Sequence, residues 1–274
     1  MQTRGPHAAA GVPRVGTAGW QLPRPLASRF AAPGSRLARY ATRMSAVEIN
    51  SSFYRPHARA TYERWAAEVP TDFRFAVKLP RALTHAQRLA APEALLDAFL
   101  AQVGGLGARL GCLLVQLPPS LPFDAAVARH FLVALRRRHA GPVALEPRHA
   151  SWFAPAADAL LARHQVARVL ADPQRHPAGT DPGGWPGLVY LRLHGSPRVY
   201  RDAYARDWLR RLAARMALAR ADGQALWCIF DNTAAGHALG DALALQAALQ
   251  GPHGAPARRL DPHGAQTPEE GPHG

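Results

Sequence analysis

Charged and amide side chains occur in pairs, two residues apart, at three points of this sequence. The pairs are Glu48 with Asn50, Glu146 with Arg148, and Arg192 with His194. Arginine binds phosphate and carboxylate groups through paired hydrogen bonds, while carboxylates and imidazole groups transfer protons. The pairs therefore predict a site that holds a small anion and performs acid–base chemistry.

Lys78 is the only lysine among the 33 lysine and arginine residues of this 274-residue chain. Asparagine is almost as rare and occurs only as Asn50 and Asn232. Arginine can replace lysine where only a solvated charge is needed, but a planar guanidinium does not replace a compact ammonium. A chain that avoids lysine elsewhere and keeps it here indicates a chemical role for Lys78.

These residues lie at the ends of short apolar runs that alternate with longer segments of helical period. The runs are RVGTAGW, AVEIN, FRFAVK, CLLVQLP, PVALEPRH, ARVLAD, LVYLRLHG and LWCIFDN, and the helical segments lie near 35–44, 58–68, 92–103, 124–139, 155–164, 205–221 and 237–249. The alternation predicts parallel strands with helical crossovers, and in a chain of this length a single α/β domain, a (β/α)8 TIM-type barrel. The second choice is an open doubly wound sheet, but GTAGW after the first strand is not a GxGxxG turn.

The pairs should face the axis of this barrel. Residues i and i+2 of a strand point to the same face. The residues between and beside the pairs are apolar, namely Val47, Ile49, Leu145, Leu191 and Leu193. We expect these apolar residues to pack under the helices and the polar residues to point inward. Barrel enzymes build their sites at the carboxyl ends of the strands, where the pairs fall.

At this end we expect Lys78, Arg148 and Arg192 to clamp an anionic group. Glu48, Lys78, Glu146 and His194 are the candidate catalytic residues, with the two glutamates as general base and acid. Other residues near strand ends are expected to contact the substrate: Trp20, Asn50, His85, Gln116, Trp152, Asp172, Gly195 and Asn232. The loops HGSPR and NTAAG contain glycine and follow the last two strands, where barrels bind phosphate through backbone N–H groups.

Three other uses of the same residues stay open. A divalent metal such as zinc or manganese could bind to donors among Glu48, His85, Glu146, His149, Asp172 and His194, although no close spacing such as HxH is present. Lys78 could form a Schiff base, which requires a lowered pKa, and we expect the nearby carboxylates to raise that pKa instead. The cations and anions could also pair for a purely structural purpose.

The net charge of +14 makes this a basic protein and raises the question of nucleic-acid binding. Arginine recurs in the helical stretches RHFLVALRRRHA and RDWLRRLAARMALAR, opposite the Leu and Val positions. A solvated helix face is the simpler interpretation. Few aromatic residues lie between the arginines, so a stacking platform for single strands is not indicated.

Residues 1–12 and the tail 251–274, which repeats Pro-His-Gly, are predicted to be disordered around a domain of residues 13–250. Cys112 and Cys228 lie in strand-like runs and are predicted to be buried free thiols of a reducing compartment. No segment reads as a membrane span or a secretory signal. We therefore expect a cytoplasmic protein with no membrane partner, and the sequence indicates no oligomeric state.

Several motifs together resemble the YecE-like family, also described as domain of unknown function 72. They are VGTAGW, VEINSSFYR, FRFAVKLPRALTH, LLVQLPPSL, ALEPRHASW, YLRLHGSPRVY and FDNTAAGHAL, and they extend from about Val15 to Gln250. The resemblance implies a TIM barrel but no activity, as the family's description states. Ala18 stands where many relatives have serine, which removes one hydroxyl beside the first strand.

The family's polar positions correspond here to Glu48, Asn50, Lys78, His85, Gln116, Glu146, Arg148, Trp152, Asp172, Arg192, His194 and Asn232. From these residues we expect an enzyme that acts on a small phosphorylated or carboxylated substrate by hydrolysis or proton transfer. Two alternatives are a nucleic-acid-binding protein, including an endonuclease-like metal-dependent phosphoesterase, and a small-ligand binder without activity. The phosphoesterase alternative rests on analogy with other barrels of this fold.

Overall fold

The computed structural model describes residues 12–174 and 176–251. Ten strands occur in this part of the chain: β1 Arg14–Ala18, β2 Ala46–Ile49, β3 Arg74–Lys78, β4 Leu110–Gln116, β5 Val143–Glu146, β6 Val166–Arg168, β7 Leu170–Asp172, β8 Gly183–Gly184, β9 Leu188–Leu193 and β10 Ala225–Phe230. The first residues and the Pro-His-Gly tail, for which disorder was predicted, lie outside the described residues except at their inner edges.

The strands form one sheet in the order β7-β9-β10-β1-β2-β3-β4-β5-β6-β8. Every pairing is parallel except that of the two-residue strand β8 with β6. β6 and β7 are two parts of one extended run, of which the first pairs with β5 and the second with β9. The sheet therefore returns on itself, which confirms the predicted barrel of eight parallel runs surrounded by helices.

The helices of the same part of the chain are α1 Arg24–Ala27, α2 Arg36–Ala41, α3 Ser51–Tyr54, α4 Arg59–Ala67, α5 Glu93–Val103, α6 Ala125–Arg138, α7 Pro155–Arg163, α8 Arg206–Ala221 and α9 Ala238–Gln250. Each of the seven predicted helical segments matches one of them to within three residues at either end. The short helices α1 and α3 were not predicted, because four residues are too few to show a helical period.

Apolar side chains fill the barrel interior nearest the amino ends of the strands. Small residues, among them Ala46, Ala76 and Ala144, leave room there for two large aromatic rings. The rings of Tyr190 and Trp227 stack with centroids 5.8 Å apart and an interplanar angle of 11°. This packed layer closes the amino end of the barrel interior. The polar side chains two residues further along the strands are therefore held away from water on that side.

The predicted division between inward and outward residues is confirmed. Val47, Ile49, Leu145, Leu191 and Leu193 all belong to the core between the strands and the helices. The polar residues that alternate with them share the inner face with the apolar layer, because side chains two residues apart point the same way.

Cys112 and Cys228 are buried free thiols, as expected. Burial raises the pKa of both well above its ordinary value, so both behave as inert core residues. No helix in the described ranges is both long enough and apolar enough to cross a membrane.

Candidate active site

Arg192 lies at the centre of a buried ion-pair network on the barrel axis. Its Nε and Nη2 donate to the two oxygens of Glu48 at 3.0 and 2.7 Å, and Nη1 donates to Glu146 at 2.6 Å. Nη2 also donates to Asp231 at 2.8 Å, and the phenol of Tyr190 donates to Glu48 at 2.9 Å. Arg192 is 1% exposed. We expected Lys78, Arg148 and Arg192 to clamp one anion of the substrate. Arg192 does not fit this expectation, because three carboxylates of the protein already share its guanidinium.

Glu146 links this network to the mouth of the barrel. Its Oε1 accepts hydrogen bonds from Nε and Nη2 of Arg148 at 3.1 and 2.8 Å, and it lies 3.3 Å from Nε2 of His194. Burial alone would raise the pKa of Glu146, but Arg192, His194 and Arg148 outweigh it and hold this pKa well below its usual value. Glu146 is thus a carboxylate at neutral pH, and Arg148 is engaged by it.

His194 lies between two carboxylates. Its Nε2 faces Glu146, and its Nδ1 is 3.2 Å from Asp231 Oδ2, although neither contact has the alignment of a hydrogen bond. Burial lowers the pKa of His194, but Asp231 and Glu146 outweigh it and raise the pKa above its usual value. The ring of Tyr200 packs edge-on against the imidazole at 5.5 Å. Tyr200 is 39% exposed, whereas His194 is 4% exposed.

Lys78 ends strand β3 with its side chain buried at 7% exposure. Its Nζ lies 4.1 Å from the centroid of the Phe53 ring, and it forms no ion pair or side-chain hydrogen bond with any residue that the structure describes. Burial, followed by the charge of Arg192, lowers the pKa of Lys78 from 10.5 to about 8. The expectation that nearby carboxylates would raise this pKa is wrong, because burial and Arg192 together outweigh their attraction.

His85 lies beside the same amine. Its ring packs edge-on against Phe53 at 4.9 Å, and its Nδ1 is 2.9 Å from the hydroxyl of Thr84. Burial, and then the charges of Lys78, Arg81 and Arg148, lower the pKa of His85. The charges of Lys78, Arg81 and Arg148 therefore all act on the His85 ring. A cleft of about 450 Å³ adjoins this region and is lined by Phe53, Arg81 and residues of helix α5.

The loop after β9 is built around Gly195. Its φ of +90° favours glycine, and a Cβ atom there would lie 2.7 Å from the carbonyl oxygen of Asp202. The N–H of Gly195 donates to the phenol of Tyr204 at 2.9 Å, and this phenol donates to the Asp172 carboxylate at 2.8 Å. The Gly195 N–H expected to bind phosphate is therefore already bonded within the protein. Asp172, at the end of β7, bonds to Tyr204 and is not part of the Arg192 network.

The two asparagines differ in their surroundings. Asn232 is fully buried, and its Nδ2 donates to Asp241 at 2.7 Å and to the carbonyl of Asp202 at 2.9 Å, so it joins the β9 loop to helix α9. Asn50 directly follows β2 and is partly buried, and its Oδ1 has no hydrogen-bond partner in the described ranges. The Oδ1 of Asn232 likewise has no hydrogen-bond partner in the described ranges, although its Nδ2 is bonded.

The remaining predicted site residues lie at different depths. Gln116 ends β4 beside Glu146 in the register and is partly buried. Trp20 follows β1, and its ring packs edge-on against Trp65 at 5.1 Å, on the rim of the mouth. Trp152 is 1% exposed and its Nε1 donates to the carbonyl of Leu121, so its ring packs in the core away from the axis.

No group of three or more His, Cys, Asp and Glu side chains in the described ranges is arranged to hold a metal ion. Two of the expected donors, Glu48 and Glu146, are bonded to guanidinium groups. Two others have local partners: His149 Nδ1 lies 2.8 Å from Ser151 Oγ, and Asp172 accepts from Tyr204. The expected donor set for zinc or manganese is thus dispersed in this structure.

Several residues of the site were not among the predicted ones. Asp231, Tyr190, Tyr200, Phe53 and Tyr204 all contact predicted site residues. Asp231 could have been selected, because it precedes Asn232 and lies at a strand end like the others. The aromatic residues carried no such signal, since their sequence positions do not differ from those of core residues.

A parallel barrel with charged side chains gathered at the carboxyl ends of its strands defines a TIM-type barrel protein. The chain belongs to the family described as Protein of unknown function DUF72, whose profile matches residues 14–266. It is 30% identical over 149 residues to UPF0759 protein YunF of Bacillus subtilis, and this match covers 52% of each chain. It is also 30% identical over 119 residues to UPF0759 protein YecE of Escherichia coli, covering 43% of each. The chain thus spans about half the length of the curated relatives that it matches, and the family resemblance is confirmed.

Solved structures share the fold. A DUF72 family protein from Enterococcus faecalis superposes with a TM-score of 0.73 and 22% identity, covering 87% of this chain and 96% of that chain. A DUF72 family protein from Thermotoga maritima gives a TM-score of 0.69 at 22% identity, covering 86% and 99%. These structural similarities support the barrel fold. Any function of the polar side chains at the carboxyl ends of its strands has to be argued from those side chains.

Proposed function

We propose that this protein is an enzyme that binds a small phosphorylated or carboxylated substrate at the carboxyl ends of its barrel strands and moves a proton to or from it, in a hydrolysis or an isomerisation. The observation that carries this proposal is the excess charge of Lys78. The buried carboxylates Glu48, Glu146 and Asp231 all contact Arg192, and Arg148 and the imidazole of His194 contact members of the same set. Lys78 is left over as a positive charge without a counterion among the described residues.

A buried charge without a partner is unfavourable, and proteins normally pair or neutralise it. A purely structural ion-pair network would be complete without Lys78. An anionic group of a substrate would supply the missing counterion, and Arg148 and Arg81 add positive charge to the same region. Burial, followed by the charge of Arg192, lowers the pKa of Lys78, and a bound anion would favour its charged form.

The buried network divides the roles among the candidate catalytic residues. In this proposal Glu48 and Glu146 hold Arg192 and Arg148 in place rather than act as base and acid, because their oxygens are occupied and their side chains are buried. Lys78 and His194 are the groups that exchange protons with the substrate. The pKa of Lys78 is lowered to about 8, close to the pH range in which a group serves best as acid and base, and the pKa of His194 is raised above its usual value.

Thermal unfolding with a panel of small anions tests the proposal. Inorganic phosphate, glycerol phosphate and pyruvate are added to wild type, to Lys78→Met and to Arg64→Met. Arg64 is exposed on α4, so its variant loses the same charge from a site away from the mouth. At least one anion should raise Tm for wild type and Arg64→Met and have little effect on Lys78→Met. Equal shifts in all three proteins, or none, would refute an anion site at Lys78.

Turnover separates an enzyme from a binder. Phosphate esters and carboxylic acids related to the anion that binds are followed by NMR with wild type, Lys78→Met and His194→Gln. Conversion by wild type that is lost in both variants would support the enzyme. Stabilisation by an anion without conversion of any related compound would favour the alternative of a non-enzymatic small-ligand binder.

Nucleic-acid binding is a second candidate, favoured by one feature of the surface. Helix α8 exposes five arginines on its outer face: Arg206, Arg210, Arg211, Arg215 and Arg220. Filter binding of duplex DNA and of RNA at low and at moderate salt tests it, since contacts with phosphates weaken steeply as salt rises. Retention that is lost when Arg210, Arg211 and Arg215 are all changed to Gln would support this candidate. No retention by wild type at low salt would remove it.

A cytoplasmic location is part of the proposal. It is supported by the two cysteines, which are buried and not joined by a disulfide, as is usual in proteins of a reducing compartment. Fractionation of the cells that produce the protein would test it.

A further inference from the structure

The environment of Lys78 suits a nucleophilic amine as well as a binding cation. The side chain projects inward from the carboxyl end of β3, and the ring of Phe53 lies against Nζ at 4.1 Å. No carboxylate of the described residues pairs with Nζ, so no oxygen occupies its donors. Removal of one proton therefore leaves a lone pair that is not already engaged by the protein.

We propose that Lys78 forms a covalent imine with a small carbonyl compound that also carries a carboxylate or phosphate, such as a 2-oxo acid. The inference rests on the proposed function, because it names the substrate class of the same anion site. Phe53 provides an apolar wall on one side of the amine, and the cations that act on this region provide the attraction for the anionic group.

The chemistry requires one proton donor and releases one water molecule. The lone pair of neutral Nζ adds to the carbonyl carbon, and the electrons of the C–O double bond move to oxygen, which takes a proton. The nitrogen then gives one of its protons to the carbinolamine hydroxyl, which leaves as water while the nitrogen lone pair forms the C–N double bond. Amine, carbonyl compound and one proton thus become a protonated imine and water. The proposal assigns this proton to His194, which lies 3.3 Å from the Glu146 carboxylate.

Such an imine would act as an electron sink for the substrate. The positive nitrogen withdraws electrons through the imine carbon, which makes a C–H or C–C bond at the carbon attached to the imine carbon easier to break. The proton transfer proposed above would then occur at that carbon. Neither a hydrolysis nor a simple anion-binding role needs the covalent bond, so the imine is a separate and testable claim.

Reductive trapping tests the imine, and the composition of the chain makes the result easy to interpret. Lys78 carries the only ε-amine of the protein, and the α-amine at the terminus lies on a different peptide. The folded protein is incubated with pyruvate or with glycolaldehyde phosphate at neutral pH and reduced with sodium borohydride. Trypsin does not cleave after an alkylated lysine, so an adduct appears as the uncleaved peptide of residues 75–81 with added mass.

The controls are Lys78→Arg and wild type unfolded in urea. We expect adduct on Lys78 of the folded protein with at least one probe and none in Lys78→Arg. Because burial lowers the pKa of Lys78 to about 8, the neutral amine is more than about a hundredfold more abundant in the folded than in the unfolded chain at pH 7. An amine of lower pKa is also a weaker nucleophile. When this is allowed for, the folded protein should trap at least about tenfold more adduct than the unfolded protein.

Absence of adduct with both probes, or equal labelling of folded and unfolded chains, would overturn the imine. The shift of Tm with the same probes separates this outcome from failure of the proposed function. If pyruvate or phosphate stabilises wild type and not Lys78→Met while no adduct forms, the anion site stands and only the imine is refuted. If neither effect occurs, both are refuted.

Discussion

Replacing Lys78 with methionine should stabilise the protein at neutral pH although it removes a residue of the proposed site. Methionine has a similar length and carries no charge. Burial lowers the pKa of Lys78 from 10.5 to about 8. A difference of one pKa unit corresponds to about 1.4 kcal/mol, so charging this buried amine destabilises the folded state by about 3 kcal/mol. Loss of that term should exceed the small effect of exchanging one linear side chain for another.

The pH dependence follows from the lower pKa in the folded state. Between about pH 8 and the unfolded pKa, the unfolded chain holds a proton that the folded chain has lost, so wild-type stability rises with pH in this window. Below about pH 8 both states are protonated and the full penalty is present. Relative to Lys78→Met, wild type should gain about 2 kcal/mol in the free energy of unfolding between about pH 7 and about pH 9.5.

Urea unfolding of wild type, Lys78→Met and Lys78→Arg at these two pH values measures the effect. Taking the difference between variants removes the contributions of all other titrating groups. Lys78→Met should be more stable than wild type at the lower pH and should lose most of that advantage at the higher pH. Lys78→Arg stays charged and should not become more stable than wild type at either pH. The free energy of unfolding could instead change by the same amount in wild type and Lys78→Met between the two pH values. That result would refute the claim that Lys78 is a buried cation without a counterion.

Three further predictions concern the network and its loop. Arg192→Met leaves buried carboxylates without their cation and should lower the free energy of unfolding by about 3–5 kcal/mol in urea; a loss below about 1 kcal/mol would contradict the pairing. Gly195→Ala places a Cβ atom 2.7 Å from the carbonyl of Asp202 at a φ of +90°, so it should destabilise by more than about 1 kcal/mol, with a lowered Tm. The raised pKa of His194 stabilises the fold below its unfolded pKa, and this contribution disappears as pH rises through the folded pKa. The stability of wild type relative to His194→Gln should therefore fall between acidic and alkaline pH, and a difference that stays constant would count against an imidazole held by two carboxylates.

Much of the fold could be predicted from local patterns. Strands β2 and β5 show an alternation in which every second residue is polar near the carboxyl end, and this pattern alone indicated which side chains face the axis. Helices α5, α6 and α8 begin and end within one or two residues of the predicted segments, because their apolar period repeats over three or more turns. The split of the sixth run into β6 and β7 was not predictable, since it depends on the strand changing its partner from β5 to β9.

The sequence by itself determined which chemical groups gather at the mouth of the barrel. The types of Glu48, Lys78, Glu146 and His194 and their places at strand ends follow from the order of residues, since parallel strands bring their carboxyl ends together. Only the tertiary structure decided how these groups pair. Arg192 binds Asp231 rather than Asp172, and Lys78 is left against the ring of Phe53 without a counterion. The physical reason is that ion pairing and burial depend on distances of a few ångström between strands far apart in the chain, and these distances set the pKa values on which the chemistry depends.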